Sequence, residues 1–148
     1  MSTINPEKIR ILSIKIFKSS IHTTEEYMNH PVKLDGVEIQ VGQNSAFNFE
    51  AQRIRVRLHV GLKATNSEKE AIGLHGEYVL EFNIHVENLD EFVVEKEGSR
   101  VVDRILGGTI NGIVYSTARG IIFERTAATS FGGVVLPVID PKQLIEQA

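Results

Sequence analysis

The chain has 148 residues, 16 Lys and Arg against 19 Asp and Glu, a net charge of −3, and neither Cys nor Trp. That length suits one domain, 1–148, with its own core, and 42% hydrophobic with 24% charged residues is an ordinary globular composition. The absence of cysteine excludes thiolate metal sites, iron–sulfur clusters, cysteine nucleophiles and a disulfide-stapled fold, and the mild acidity argues against phosphate-backbone binding, so no nucleic-acid partner is expected.

Residues 1–10 mix Asn5, Pro6, Glu7 and Lys8 and hold no apolar stretch of signal-peptide length. A first strand is expected over 9–17, where Leu12, Ile14 and Ile16 share one parity. The chain turns near Pro31 and Asp35-Gly36, after which Val37, Ile39 and Val41 alternate with Glu38 and Gln40. The clearest pattern runs over 53–62, with Ile54, Val56, Leu58, Val60 and Leu62 on even positions and Arg53, Arg55, Arg57 and His59 on odd ones. A polar loop over 63–70 follows. Leu74, Tyr78, Leu80, Phe82, Ile84 and Val86 then alternate with His75, Glu77, Glu81, Asn83, His85 and Glu87, Val79 being the exception. Period-two alternation of this length predicts antiparallel strands, each with one buried and one wet face. Folding the hairpin about residue 67 sets Arg57 near Glu77 and Arg53 near Glu81, a register shifted by two still sets arginines opposite glutamates, and each such pair contributes roughly 0.2–1 kcal/mol. The wet face is then either a solvated salt ladder or a partner-docking face carrying Glu77 and Glu81.

From about Gly98 the period becomes helical. Ser99 can cap, Asp103 sits in the first turn, and Val102, Leu106, Ile110, Ile113 and Ile121 fall near one stripe. Gly108, Gly112, Ser116 and Gly120 form a second row. An interior glycine costs about 0.5–1 kcal/mol relative to alanine. The row therefore implies close approach of another backbone, either the chain's own sheet or the same helix of a second subunit. A kink near Gly107-Gly108 or Gly112 is the other reading. Asp103, Arg104, Arg119 and Glu124 exclude a membrane span here, so the expected location is the cytoplasm, with no membrane insertion. After Thr126, the loop over 130–139 carries two glycines, one proline and six large apolar residues. It either packs on the core or exposes a sticky surface. Asp140-Pro141 opens a short C-terminal helix. The order predicts an α+β fold: a four-stranded antiparallel sheet with a long glycine-rich helix and a short C-terminal helix packed on one face.

Catalytic signatures are missing. There is no H-E-x-x-H, nucleophile elbow, P-loop or dinucleotide fingerprint. Gly107 to Gly112 have P-loop spacing, but Ile113-Val114 replace the Lys-Ser/Thr that would hold phosphate and magnesium. His59 and His75 are candidate cross-strand neighbours able to share a metal. They lack a third ligand, so no metal or other cofactor is expected. Glu77 and Glu81 opposite arginines would stay ionised, which argues against an enzyme.

Two runs carry a family likeness: Asp103-Arg104-Ile105-Leu106-Gly107-Gly108 through Ser116-Thr117-Ala118-Arg119-Gly120, and Leu136-Pro137-Val138-Ile139-Asp140 through Leu144-Ile145. This half resembles SecB-type protein-export chaperones, which carry an L-G helix start, an A-R in mid-helix and an L-x-P-V-[ND]-x-x-x-L run into the last helix. The N-terminal half is similar in element order, with Ile16-Phe17 at the I-[FY] strand. The resemblance implies an ATP-independent holdase, a dimer of dimers, whose unfolded client polypeptides lie in apolar grooves. It implies Phe17, Tyr78, Leu80, Phe82, Phe123, Phe131, Val134, Leu136 and Val138 as client-binding residues. It places Gly108, Gly112, Ser116 and Gly120 at the oligomer interface. Family members that pass clients to the SecA translocase motor use acidic residues on the outer sheet face and a polar C-terminal tail. Glu77 fits an acidic position, whereas Ser20 and Thr24 stand where the first strand would supply the others, and Ala148 follows the last helix directly. The partners implied are therefore SecA or, in a relative that shields an unstable antitoxin, that antitoxin. Two further readings stay open: an adaptor binding one folded partner through the charged sheet face, and a carrier of one small apolar ligand.

Overall fold

The computed structural model describes residues 3–140. Its elements are β1 (Ile9–Thr23), α1 (Glu25–Asn29), β2 (Gly36–Asn48), β3 (Arg53–Thr65), β4 (Ala71–Val86), β5 (Val93–Lys96), β6 (Ser99–Val102) and α2 (Arg104–Ala127). The four long strands form one sheet in the order β1-β4-β3-β2, and β5 and β6 form a separate two-stranded ribbon. The fold is thus α+β, with a four-stranded antiparallel sheet and one main helix. The C-terminal helix expected after Asp140-Pro141 lies outside the described residues.

Strands β3 and β4 follow their alternation. Ile54, Val56, Leu58, Val60, Leu62, Leu74, Tyr78, Leu80, Phe82, Ile84 and Val86 are all buried on one face. Helix α2 covers that face with Leu106, Ile110, Val114, Ala118 and Ile122. Fully burying a side chain of this size is worth about 1.5–3 kcal/mol, so this sheet-on-helix contact dominates the fold.

The β3–β4 register differs from the one expected. Arg57 lies opposite Glu81, Arg53 opposite His85, and Glu77 opposite Gly61. The turn sets this. The Asn66 side chain accepts from the Glu68 and Glu70 amides at 2.9 and 3.0 Å, which centres the reversal later in the chain than residue 67.

Strand β1 extends to Thr23 and contains two irregularities, between Ile11 and Ser13 and between Ile16 and Lys18. Paired residues share a face. Ile11, Ile14 and Ile16 therefore lie with the buried face of β4, while Leu12 and Phe17 are bulge residues outside the pairing. Ile14 and Ile16 keep their expected shared face, whereas Leu12 does not, because it is the extra residue of the bulge between Ile11 and Ser13.

The expected helix start is also corrected. Ser99 and Val102 belong to β6, paired with Lys96 and Val93. Glu97 and Gly98 have φ of 52° and 79°, the two positive values that a two-residue hairpin turn requires. Asp103 is the N-cap, its carboxylate accepting from the Ile105 amide at 2.7 Å.

Candidate functional site

The ribbon β5–β6 stands beside the first turns of α2 and, with the start of β3 and the end of β2, frames a groove of about 750 Å³. Phe47, Ile54 and Val56 line it from the sheet, Val94, Val101 and Val102 from the ribbon, and Gly107 and Ile110 from the helix. Phe47 is 38% exposed and Val94 43%, so apolar surface faces water along its rim. A polar seam runs through it: Ser45 Oγ donates to Gln43 Oε1 at 3.1 Å, and Gln43 Nε2 to Asn111 Oδ1 at 3.2 Å. Sequence reasoning missed this site because it missed the ribbon. The available signal was Glu97-Gly98 between Val93-Val94 and Val101-Val102.

The apolar loop after α2 folds back along the helix. The Val134 amide donates to Thr126 Oγ1 at 2.7 Å, Arg119 Nε to the Leu136 carbonyl at 3.1 Å, and the Tyr115 hydroxyl to the Pro137 carbonyl. Phe131, Val134 and Leu136 are buried, whereas Val135 and Val138 are 61% and 83% exposed. The loop therefore both packs on the core and presents apolar surface.

The expected client-binding set divides accordingly. Tyr78, Leu80, Phe82, Phe131, Val134 and Leu136 are buried in the core. Phe17, Phe123 and Val138 are exposed. Gly108 and Gly112 are half-buried, while Ser116 and Gly120 face solvent, and nothing lies within 4 Å of where a Gly120 Cβ would be. The chain's own sheet is thus not what Gly120 approaches. On the edge strand, Ile11, Leu12, Ile14 and Ile16 are each about two-fifths exposed.

The opposite sheet face is charged. Seven cations point outward (Arg10, Lys15, Lys18, Arg53, Arg55, Arg57 and Lys63) against three carboxylates (Glu38, Glu77 and Glu81). Each carboxylate is paired: Glu77 with Lys18 at 2.7 Å, Glu81 with Arg57 at 2.7 Å, Glu38 with Lys63 at 2.8 Å. Glu77 therefore pairs with a lysine of β1 and not with an arginine of β3. Its pKa is lowered, chiefly by the Lys18 hydrogen bond. The Arg57 hydrogen bond likewise lowers that of Glu81 against the opposing effect of burial. Ser20 lies opposite Glu77, and Thr24 caps α1 by accepting from the Tyr27 amide at 3.1 Å. The histidines pair otherwise than expected, His75 opposite His22 and His59 opposite Val79. Among the described residues no three metal-ligating side chains converge, and no helix is long and apolar enough to cross a membrane.

No protein-family model matches the chain, and no curated protein matches it in sequence. Among solved structures, the chain is similar to the SecB-like chaperone Rv1957 of Mycobacterium tuberculosis, solved in complex with a ChAD peptide from the Rv1956 HigA1 antitoxin. The TM-score is 0.56 at 10% identity, over 90% of this chain and 91% of that one. A protein of unknown function from Streptococcus agalactiae superposes with a TM-score of 0.43 at 10% identity, covering 88% and 97% of the two chains. The first likeness defines the fold as SecB-like.

Proposed function

We propose that this chain is an ATP-independent holdase that binds unfolded polypeptide in the groove between β5–β6, α2 and the sheet. The observation that carries this reading is the partly exposed apolar lining of Phe47, Val94, Val101 and Val102 beside the first turns of α2. An extended chain laid there buries apolar surface at about 25 cal/mol per Å², with little sequence specificity. The SecB-like fold, and the peptide held by the Mycobacterium tuberculosis chaperone, support the same reading. Phe123 and Val138 extend the client surface, Phe17 lying against Arg57 on the outer sheet face, and no bond-making chemistry is assigned to the protein.

The client is of the antitoxin-like, apolar-segment kind. The outer sheet face, where acidic residues would engage SecA, carries a cationic excess, and Thr24 is committed to a helix cap. A second copy of the chain covers the exposed isoleucines of β1 and the Gly112–Gly120 stretch of α2, giving a homo-oligomer.

Fluorescence anisotropy of a labelled apolar peptide tests the groove. Wild type binds in a salt-tolerant manner, and Val94→Asp weakens binding at least about tenfold, since it places a charge against buried apolar surface. Salt-tolerant peptide binding that Val94→Asp leaves unchanged contradicts the assignment. The groove's volume also falls in the range of small-ligand sites. A stoichiometric small-molecule complex with no affinity for unfolded chain would favour that carrier reading instead.

A further inference from the structure

The charge on the outer sheet face is unevenly placed. Across the strands, Arg10, His85 and Arg53 are direct neighbours in one row, and Ser13, Asn83 and Arg55 form the next. Neither row contains a carboxylate. The Arg10 and Arg53 side chains are exposed and make no ion pair or hydrogen bond among the described residues. With strands about 4.8 Å apart, the two guanidinium-bearing positions flank His85 across roughly 10 Å. Arg53 and Arg55 share one face of β3 with no carboxylate opposite either, and like charges held close together repel, so a bound anion would offset the repulsion at this end of the face.

We propose that these two rows dock a short acidic segment of a partner polypeptide. Arginine forks match carboxylates two bonds at a time. Arg53 and Arg55, two residues apart on one strand, stand about 6.8 Å from each other. An extended peptide with acids at alternate positions repeats that spacing. The Asn83 amide group, which donates to Ser13 Oγ at 3.2 Å, adds polar capacity between the rows. The patch is short: along β4 it is bounded on one side by Glu81, fixed by Arg57, and on the other by the end of the strand at Val86. A few carboxylates fit between those limits. The surface lies on the opposite face of the sheet from the groove and does not depend on the holdase reading.

The test is anisotropy of a fluorescent peptide with Glu at three alternate positions, titrated with the full chain at low and high salt. A single-stranded RNA oligonucleotide serves as the second probe. The expected result is salt-sensitive peptide binding that Arg10→Gln and Arg53→Gln each weaken roughly tenfold. Lys63→Gln, at the far end of the face, leaves it intact. Amide shifts on wild-type protein, which need no variant to fold, should move at Arg10, Arg53 and Arg55. Absence of peptide binding at low salt, binding indifferent to both arginine variants, shifts confined to other surfaces, or tighter binding of the RNA would each overturn the proposal.

Discussion

Arg57 holds Glu81 through two hydrogen bonds to one oxygen, from Nη2 at 2.7 Å and Nε at 3.2 Å, while its guanidinium lies 4.8 Å over the Phe17 ring. The bulge that breaks the β1 ladder is what frees Phe17 to sit there. One ion pair thus ties β3 to β4 and positions an exposed aromatic side chain on β1.

The Glu81 carboxylate is 93% covered, so Arg57→Ala leaves it buried without its partner. The expected loss is about 1–2 kcal/mol, below the value for a fully buried pair because Arg57 is partly exposed. Because the folded pKa of Glu81 lies below the ordinary 4.5, its contribution is fully present above that value and is lost as pH falls through the folded value. Urea denaturation of wild type and Glu81→Gln across the acid range checks this. The two stability curves should converge as the pH drops.

Thr126 pins the returning loop to α2. Its buried hydroxyl donates to the Ile122 carbonyl at 2.7 Å and accepts from the Val134 amide. Thr126→Val keeps the volume and removes the acceptor, so Val134 N–H becomes a buried donor without a partner, at a cost of about 1–3 kcal/mol. Hydrogen exchange at Val134 should accelerate together with a fall in Tm. Unchanged protection there would remove the pin.

Gly73 has a φ of 89°, and a Cβ at this position would collide with the Thr24 side chain that caps α1. Gly73→Ala therefore combines left-handed strain with a steric clash, and about 2 kcal/mol or more of destabilisation is expected. Thermal unfolding of this variant beside Gly120→Ala separates the causes. The latter has open space and ordinary helical geometry, so as a monomer it should gain stability from helix propensity.

The sequence was informative where one physical rule acted alone. Strands β3 and β4 are long and have one wet face, so period two holds along both with Val79 the exception, and the core list follows directly. Where a second effect intervened, the reading slipped. The first bulge of β1 took Leu12 off its expected face, the Asn66 side chain moved the hairpin register, and Val102 was read as helix because four-residue strands are too short to show a period. The groove was illegible for a related reason. Phe47, Val94 and Ile110 lie far apart in sequence, and only the ribbon joins them. Burial of Tyr78, Leu80 and Phe82 followed from their alternation, but whether a groove would expose them depended on where α2 lies.

The central claim is that the groove takes up unfolded chain. Size-exclusion chromatography with light scattering, on the protein mixed with a slow-folding denatured client, tests it most directly. The account predicts a stable complex with the unfolded client, none with the same client once folded, and loss of the complex in a folded Phe47→Asp/Val94→Asp variant. Failure to capture the unfolded client, or equal capture by that variant, would contradict it.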